Sequence, residues 1–245
     1  MSWNATAKQN CRMLATLNLS GKPAKRAIFF PAKEALCLKS AVKSGLVDYW
    51  TRLHLIEKDR YTHTMQIENV HEFRNQQSEP SIDLENDGWT RFHNVNFDTH
   101  APLHAINGSK KHNERQEDEK VDYAFFDFCG LLTQKRQEII ERIEFADKAT
   151  ICFTLNIHNR FLDILETYPN CGDVSQFPKT IKNKKWLGKN PNAGTTDYEM
   201  DASTYQICMV MRLFSEWNIE VDSAIEYQNK GMKHPMLFLK LEISK

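Results

Sequence analysis

The stretch VDYAFFDFCG, Val121 to Gly130, has the pattern of a buried strand with a polar tip. Its apolar run, Tyr123 to Phe126, lies between Asp122 and Asp127. The residues that follow, LLTQKRQEIIERIEFA, carry apolar side chains at helical spacing. We therefore predict a strand that leads directly into a helix. Asp127, at the junction, either caps that helix or lines an active site.

The same alternation of strand and helix extends in both directions from this stretch. Ahead of it, RAIFFP, YWTRLHLIEKD and WTRFHNVNFD predict three strands; behind it, KATICFTLNI predicts a fifth. The last two segments, IEVDSAIEY and PMLFLKLEI, are joined by a glycine-containing turn and predict an antiparallel hairpin. This order is typical of an α/β fold. It predicts a seven-stranded mixed sheet with helices on both faces and the hairpin at its C-terminal end.

Two regions differ from this alternation. Residues 1–23 carry an amphipathic N-terminal helix ahead of a domain that spans residues 24–245. Residues from about 168 to 200 are rich in Pro, Gly, Asn and Lys, a composition that predicts a loop inserted into the domain.

The charge balance, the cysteines and the apolar segments of the chain exclude some classes of protein and leave others open. The 245 residues include 32 basic and 32 acidic side chains, so the overall charge favours neither a polyanion nor a polycation as partner. The six cysteines form no CxxC pair, which indicates reduced thiols and no structural zinc. The polar start and the lack of a long apolar run predict no signal peptide, no membrane span and a cytoplasmic location.

Acidic residues follow three of the predicted strands. They are Glu57 after the second strand, Asp98 after the third and Asp127 after the fourth. In a parallel α/β sheet, ligands bind beyond the carboxyl ends of the strands. We therefore expect these three carboxylates to border one cleft, together with the turn from Pro31 to Glu34.

The segments LHLIEKD, VNFD, DFCG and PMLFLKLEI carry a family resemblance. From about residue 24 to 245 the layout resembles the Rossmann-like class I S-adenosylmethionine-dependent methyltransferases. The resemblance implies that S-adenosylmethionine (SAM) is the cofactor and that Glu57 binds its ribose hydroxyls. It implies that Asp98 contacts the adenine amine, and that Asp127 and Phe128 contact the methyl acceptor. Further cofactor contacts would come from Pro31, Ala32, Glu34 and Asp127.

One motif of that family is absent. A glycine-rich loop usually follows the first strand, whereas this chain has FFPAKEALCLKSA there. Glycines let the backbone approach a ligand closely. The sequence therefore allows two hypotheses. The chain is either a divergent methyltransferase, or a binding or assembly protein that has the same fold and does not catalyse methyl transfer. A Rossmann-like enzyme for another nucleotide has no supporting motif here.

Several of these residues also have ordinary structural interpretations. Glu57 fits a solvated charged turn, and Asp98 fits a helix cap or a surface position. Cys129 is better explained as a packed thiol than as a nucleophile, since no nearby group would activate it. The histidines of FHNVNFDTHAPLH are interpreted as loop residues, because a proline makes a regular metal-binding helix less favourable there. We predict no metal site.

The predicted insertion contains the best local evidence for a polyanionic partner. Residues 178–191 include five lysines, one tryptophan and no acidic residue. Lysines beside an aromatic ring can bind phosphate groups and stack on a base. Contacts to RNA or DNA are therefore predicted from four residues, with a solvated surface loop as the alternative: Lys182, Lys184, Lys185 and Trp186.

Overall fold

A computed structural model describes most of the chain. The described residues are 3–18, 20–31, 35–48, 50–75, 90–108, 120–128, 130–157, 185–187, 202–227 and 235–245. The helices are α1 (Trp3–Thr16), α2 (Leu36–Lys43), α3 (Arg60–Asn75), α4 (Phe97–His100), α5 (Leu103–Asn107), α6 (Gln134–Ile140) and α7 (Ala202–Leu213). The strands are β1 (Arg26–Phe29), β2 (Arg52–Glu57), β3 (Thr90–Asn94), β4 (Val121–Asp127), β5 (Phe145–Asn156), β6 (Lys185–Leu187), β7 (Asn218–Tyr227) and β8 (Met236–Ser244).

All eight strands form one mixed sheet in the order β3-β2-β1-β4-β5-β8-β7-β6. The first five strands pair parallel with one another, and β8 pairs antiparallel with both β5 and β7. The predicted mixed α/β sheet with a C-terminal antiparallel hairpin is therefore confirmed. One short strand was not predicted: β6 lies within the lysine-rich region and pairs parallel with β7.

The sheet carries a hydrophobic core on each face, as the alternating sequence predicts. One core contains Ile28 and Ile56 from the sheet and is covered by α4, α5, α6 and α7. The other contains Phe29 and Leu55 and is covered by α1, α2 and α3. The N-terminal helix α1 packs into this second core through Ala7, Cys11 and Ala15. None of the described helices is long and apolar enough to cross a membrane.

The two aspartates of the opening stretch have different environments. Asp122 is near the start of β4, where the strand has an irregular register with β5. Its carboxylate accepts hydrogen bonds from the backbone N–H groups of Lys25, at 2.8 Å, and Arg26, at 3.0 Å. Burial raises the pKa of Asp122, and these backbone donors act in the opposite direction. Asp122 therefore joins β4 to the start of β1, whereas Asp127 lies at the other end of β4.

A pair of histidines joins β2 to β3. The rings of His54 and His93 are parallel within 7°, and His54 Nδ1 lies 3.2 Å from His93 Nε2. A hydrogen bond between two ring nitrogens requires the acceptor nitrogen to lack a proton, so at least one of the two rings is neutral. The lowered pKa values of both residues make the pair neutral at pH 7. Burial, followed by the neighbouring positive groups, lowers the pKa of His54 to about 3 and that of His93 to about 4.

These lowered pKa values predict acid sensitivity. In the unfolded chain, His54 and His93 bind protons as the pH falls through the ordinary histidine pKa of about 6.5. In the folded chain they stay unprotonated until the pH falls towards 4. The stabilisation is thus complete above about pH 6.5 and is lost as the pH falls from there towards 4. Each histidine contributes at most about 1.4 kcal/mol per pH unit to the free energy of unfolding.

Urea unfolding at pH 7.5, 6.5 and 5.5 measures this effect. We expect His54→Gln to reduce the pH slope of the free energy of unfolding by up to one proton equivalent. The matched control is His104→Gln, which replaces an exposed histidine. Equal slopes for wild type and His54→Gln would contradict the neutral-pair assignment.

Candidate functional site

A cleft of about 290 Å³ opens at the carboxyl ends of the parallel strands. Phe30 lines it from the end of β1, Glu57 from the end of β2 and Asp127 from the end of β4. Asp98 lines it from α4, so the structure brings together the three acidic residues that the sequence singled out. The chain leaves β1 towards β2 on one side and returns to β4 on the other. The cleft therefore lies at the topological switch point of the sheet, where open α/β sheets bind ligands.

Asp127 has unused hydrogen-bonding capacity. Its side chain is 15% exposed, and its Oδ2 lies 3.8 Å from Nζ of Lys8 in α1. This separation is longer than a charge-assisted hydrogen bond, which spans about 2.7–2.9 Å. Asp127 Oδ1 is buried and has no hydrogen-bond partner among the described residues. The capping alternative is excluded, because Thr133 caps α6 by accepting a hydrogen bond from the N–H of Arg136.

Glu57 ends β2 beside the cleft. Its Oε1 accepts a hydrogen bond from the backbone N–H of Asp59 at 2.9 Å. Asp59 in turn accepts from the N–H of Thr62 at 2.7 Å, in the first turn of α3. These bonds orient the Glu57 carboxylate, which is half-buried and can accept further donors from a ligand.

Asp98 is engaged by an arginine that the sequence analysis did not include in the site. Arg136 Nε and Nη2 donate to the two Asp98 carboxylate oxygens at 2.7 and 2.9 Å. Arg136 Nη1 also donates to the carbonyl of Leu131 at 2.8 Å. The helix cap at this point is Asn96, which accepts from the N–H of Asp98. A ligand amine at Asp98 would therefore share the carboxylate with Arg136.

Phe128 lies in an aromatic cluster at the base of the cleft. Its side chain is 4% exposed, and its ring centroid lies 5.4 Å from that of Phe30 and 5.8 Å from that of Phe97. The guanidinium of Arg136 lies 4.4 Å from the centroid of the same ring. The predicted stacking of Phe128 on an acceptor would need a ring face that these contacts occupy. In this structure Phe128 supports the cleft through packing and a cation–π contact.

Pro31 is buried directly after β1 and Phe30. Ala32, Glu34, Cys129, Lys182 and Lys184 lie outside the described residues.

Lys185 and Trp186 lie in β6, whose carboxyl end is at the same edge of the sheet as the cleft. Four strand spacings separate β6 from β4, which is about 19 Å. The described part of the lysine-rich region therefore lies at the edge of the sheet, about 19 Å from the strand that carries Asp127, and is separate from the cleft.

Lys58 lines the cleft directly after Glu57, as the strand-end rule predicts, whereas two basic residues of the cleft were not predicted: Lys8 and Arg136. Arg136 did leave a signal, since it falls on the apolar face of its helix beside Ile139 and Ile140. A charged side chain on such a face requires a partner. For Lys8 no sequence signal exists, because only tertiary packing brings α1 to the end of β4.

The described thiols near the cleft are unsuited to nucleophilic chemistry. Burial raises the pKa of Cys11 and of Cys37 to about 12, and the negative charge of Asp127 acts in the same direction. Within the described ranges, no group of three His, Cys, Asp or Glu side chains could hold a metal ion. His93 belongs to β3, and Pro102 separates the short helices that carry His100 and His104.

The turn after β1 departs from the usual glycine-rich sequence but keeps an unusual backbone conformation. Ala35, at the N-cap of α2, has φ 48° and ψ 34°, and among the described residues it is the only non-glycine with a positive φ. A left-handed conformation costs a residue with a side chain about 1–2 kcal/mol. The conformation that glycine favours is therefore present here, although the residue is alanine.

Comparison with solved structures shows the fold. TomG, the O-methyltransferase from Streptomyces achromogenes involved in tomaymycin synthesis, is similar in structure with a TM-score of 0.51 at 12% identity. The match covers 98% of this chain and 81% of TomG, which was crystallised in complex with SAM. No family model and no curated protein match the sequence.

Two further structures have lower TM-scores. NodS, an N-methyltransferase from Bradyrhizobium japonicum WM9, gives 0.49 at 9% identity, with 99% of this chain and 98% of NodS covered. TYW2 from Pyrococcus horikoshii, in complex with MeSAdo, gives 0.46 at 12% identity, with 97% and 62% covered. This chain thus spans less than two thirds of TYW2, and also of the Pyrococcus horikoshii protein PH0793, of which it covers 63%.

The strand order and the similarity to TomG together define the class of fold. It is a Rossmann-like fold similar to that of TomG, and it has one short edge strand more than the seven strands predicted from the sequence. The fold predicted from the sequence is therefore confirmed.

The strained turn predicts an unusual response to glycine. In Ala35→Gly, relief of the left-handed conformation offsets the lost methyl burial and the added entropy of the unfolded chain. We expect a free energy of unfolding within about 0.5 kcal/mol of wild type. The control Ala41→Gly removes an equally buried methyl from the interior of α2 and should destabilise by about 2 kcal/mol. Urea unfolding checks both, and an equal loss in the two variants would show that the turn is unstrained.

Proposed function

We propose that this protein transfers a methyl group from SAM to an acceptor. The observation that carries the proposal is the buried, unsatisfied Oδ1 of Asp127, which has no partner in the described part of the chain. It lies beside a cleft at the switch point of a methyltransferase fold. A buried carboxylate oxygen without a donor is costly, so its retention favours a role in binding.

The residues at the cleft suit the parts of the cofactor. Glu57, already oriented by Asp59, would accept hydrogen bonds from the two ribose hydroxyls. Asp98 would contact the adenine amine while it remains paired with Arg136. The turn that begins at Pro31 and includes Ala32 and Glu34 would contact the methionine end.

The chemistry that the protein must provide is alignment. SAM supplies an electrophilic methyl group on a sulfonium, so no covalent intermediate with the protein is required. Asp127 would accept a hydrogen bond from an N–H or O–H group of the acceptor and so orient its nucleophilic atom. Phe128 and Arg136 would hold the strand end in place beneath it.

For the acceptor, we propose a nucleic acid. Support comes from the five lysines and Trp186 within residues 178–191, a segment without acidic residues in a chain of zero formal net charge. The strand β6 attaches this segment to the edge of the sheet, about 19 Å from β4. A long acceptor such as a nucleic acid strand could contact both the lysines and the cleft across this distance. A small acceptor could contact only the cleft.

A second candidate is a non-catalytic binding protein. It is favoured by the absence of the glycine-rich loop and by the contacts that occupy Asp98 and Phe128. Such a protein would use the same surface for partners and would not need the cofactor.

Calorimetric titration with SAM and with S-adenosylhomocysteine separates these candidates. We expect wild type to bind both ligands. Glu57→Gln should weaken binding by about tenfold to a hundredfold, since hydrogen bonds to a charged acceptor contribute about 1.5–3 kcal/mol. Glu216→Gln, at an exposed glutamate, is the matched control. No binding at millimolar ligand would refute the methyltransferase proposal, whereas equal binding by wild type and Glu57→Gln would refute only the ribose assignment.

A salt series with single-stranded RNA and DNA tests the acceptor class. The triple variant of Lys182, Lys184 and Lys185 to Gln should reduce the slope of log affinity against log salt by up to about 2, at about 0.7 per phosphate contact. The control changes three exposed lysines elsewhere, Lys43, Lys135 and Lys148, and keeps the same net charge. Equal slopes for the two triple variants would show that the lysine-rich segment does not contact phosphates.

A further inference from the structure

Two fully buried glutamines contact the two turns that border the cleft. Gln66, in α3, is 0% exposed, and its Nε2 donates to the carbonyl of Pro31 at 2.8 Å. Gln206, in α7, is 1% exposed, and its Oε1 accepts from the N–H of Leu132 at 3.0 Å. Pro31 directly follows the cleft residue Phe30. Leu132 comes two residues after the cleft residue Gly130.

The placement of these contacts is specific. Pro31 follows β1 and Leu132 follows β4, the two neighbouring strands at the switch point of the sheet. The helix α3 belongs to the core on one face of the sheet and α7 to the core on the other. The two sides of the cleft are therefore each connected to a different hydrophobic core. Gln66 makes the connection on one side and Gln206 on the other.

Gln66 makes only part of the hydrogen bonds that its side-chain amide can make. A residue whose only role is to fill space would not need this polar group. Its Oε1 is buried and has no hydrogen-bond partner among the residues that the structure describes. A methionine of similar length would fill the same space without a buried polar atom, so packing alone does not account for a glutamine here. Its donor group does account for it, because the amide fixes a turn that contains no glycine.

The strained Ala35 gives an independent reason for such a contact. A residue stays in a sparsely populated conformation only where its surroundings determine it. Pro31 and Ala35 are the described residues on either side of positions 32–34, between β1 and α2, and Gln66 donates a hydrogen bond to the first of them.

We infer that Gln66 and Gln206 are positioning residues, which fix the turns after β1 and β4 in the geometry that the cofactor and acceptor require. The inference rests on the proposed methyltransferase function, because it gives the fixed turns their purpose. It adds two residues that touch neither ligand and act through Pro31 and Leu132.

Substitution of each glutamine by methionine, followed by titration with S-adenosylhomocysteine, tests the inference. Gln66→Met leaves the carbonyl of Pro31 unpaired but also removes the unsatisfied oxygen of Gln66, so the two effects offset each other and the melting temperature should stay close to that of wild type. Its affinity for S-adenosylhomocysteine should fall at least tenfold. Gln206→Met leaves the N–H of Leu132 unpaired and should lower both the melting temperature and the affinity. Gln134→Met, at an exposed glutamine, is the control.

Amide hydrogen exchange on the unliganded protein gives a readout that does not depend on the cofactor. We expect faster exchange at residues 35–39 in Gln66→Met and at residues 131–137 in Gln206→Met, each without change at the other segment. Faster exchange in a protein that binds no S-adenosylhomocysteine would refute the proposed function and leave the fixing of the turns supported. Unchanged exchange, or wild-type affinity in both methionine variants, would overturn the inference.

Discussion

The parallel pairing of β1 with β2 on one side and with β4 on the other fixes where a ligand can bind. Because β1 lies between β2 and β4, the strand order reverses at β1, and the cleft lies at this switch point of the sheet. The carboxyl ends of the strands then deliver Phe30, Glu57 and Asp127 to the same edge. The position of the cleft depends on that arrangement of backbone hydrogen bonds.

Buried polar groups hold this arrangement in place. Asp122 joins the start of β4 to the start of β1, and the His54–His93 pair joins β2 to β3. Gln66 and Gln206 contact the turns at the opposite ends of β1 and β4. Asp127, in the same strand as Asp122, instead has a buried carboxylate oxygen with no described partner. That contrast, within one strand, is the physical basis for assigning it a role in binding.

The sequence predicted the acidic side of the cleft better than the basic side. Glu57, Asp98 and Asp127 follow strands, so the rule for parallel sheets located them directly. Arg136 and Lys8 reach the cleft from helices, and their positions depend on how α6 and α1 pack. Phe128 was predicted to contact an acceptor, but its neighbours Phe30 and Phe97 could not be foreseen from local sequence, and they place its ring in the core.

The sequence by itself determined the order of strands and helices, because a period of two or 3.6 residues reports which face of each element is buried. It thereby determined the sheet, the hairpin and the edge of the sheet at which the cleft lies. Only the tertiary structure decided which side chains are already paired there. Asp98 is bound by Arg136, while Asp127 has only a loose contact with Lys8. Those pairings join residues 38 and 119 positions apart, and local patterns carry no information on contacts at such separations.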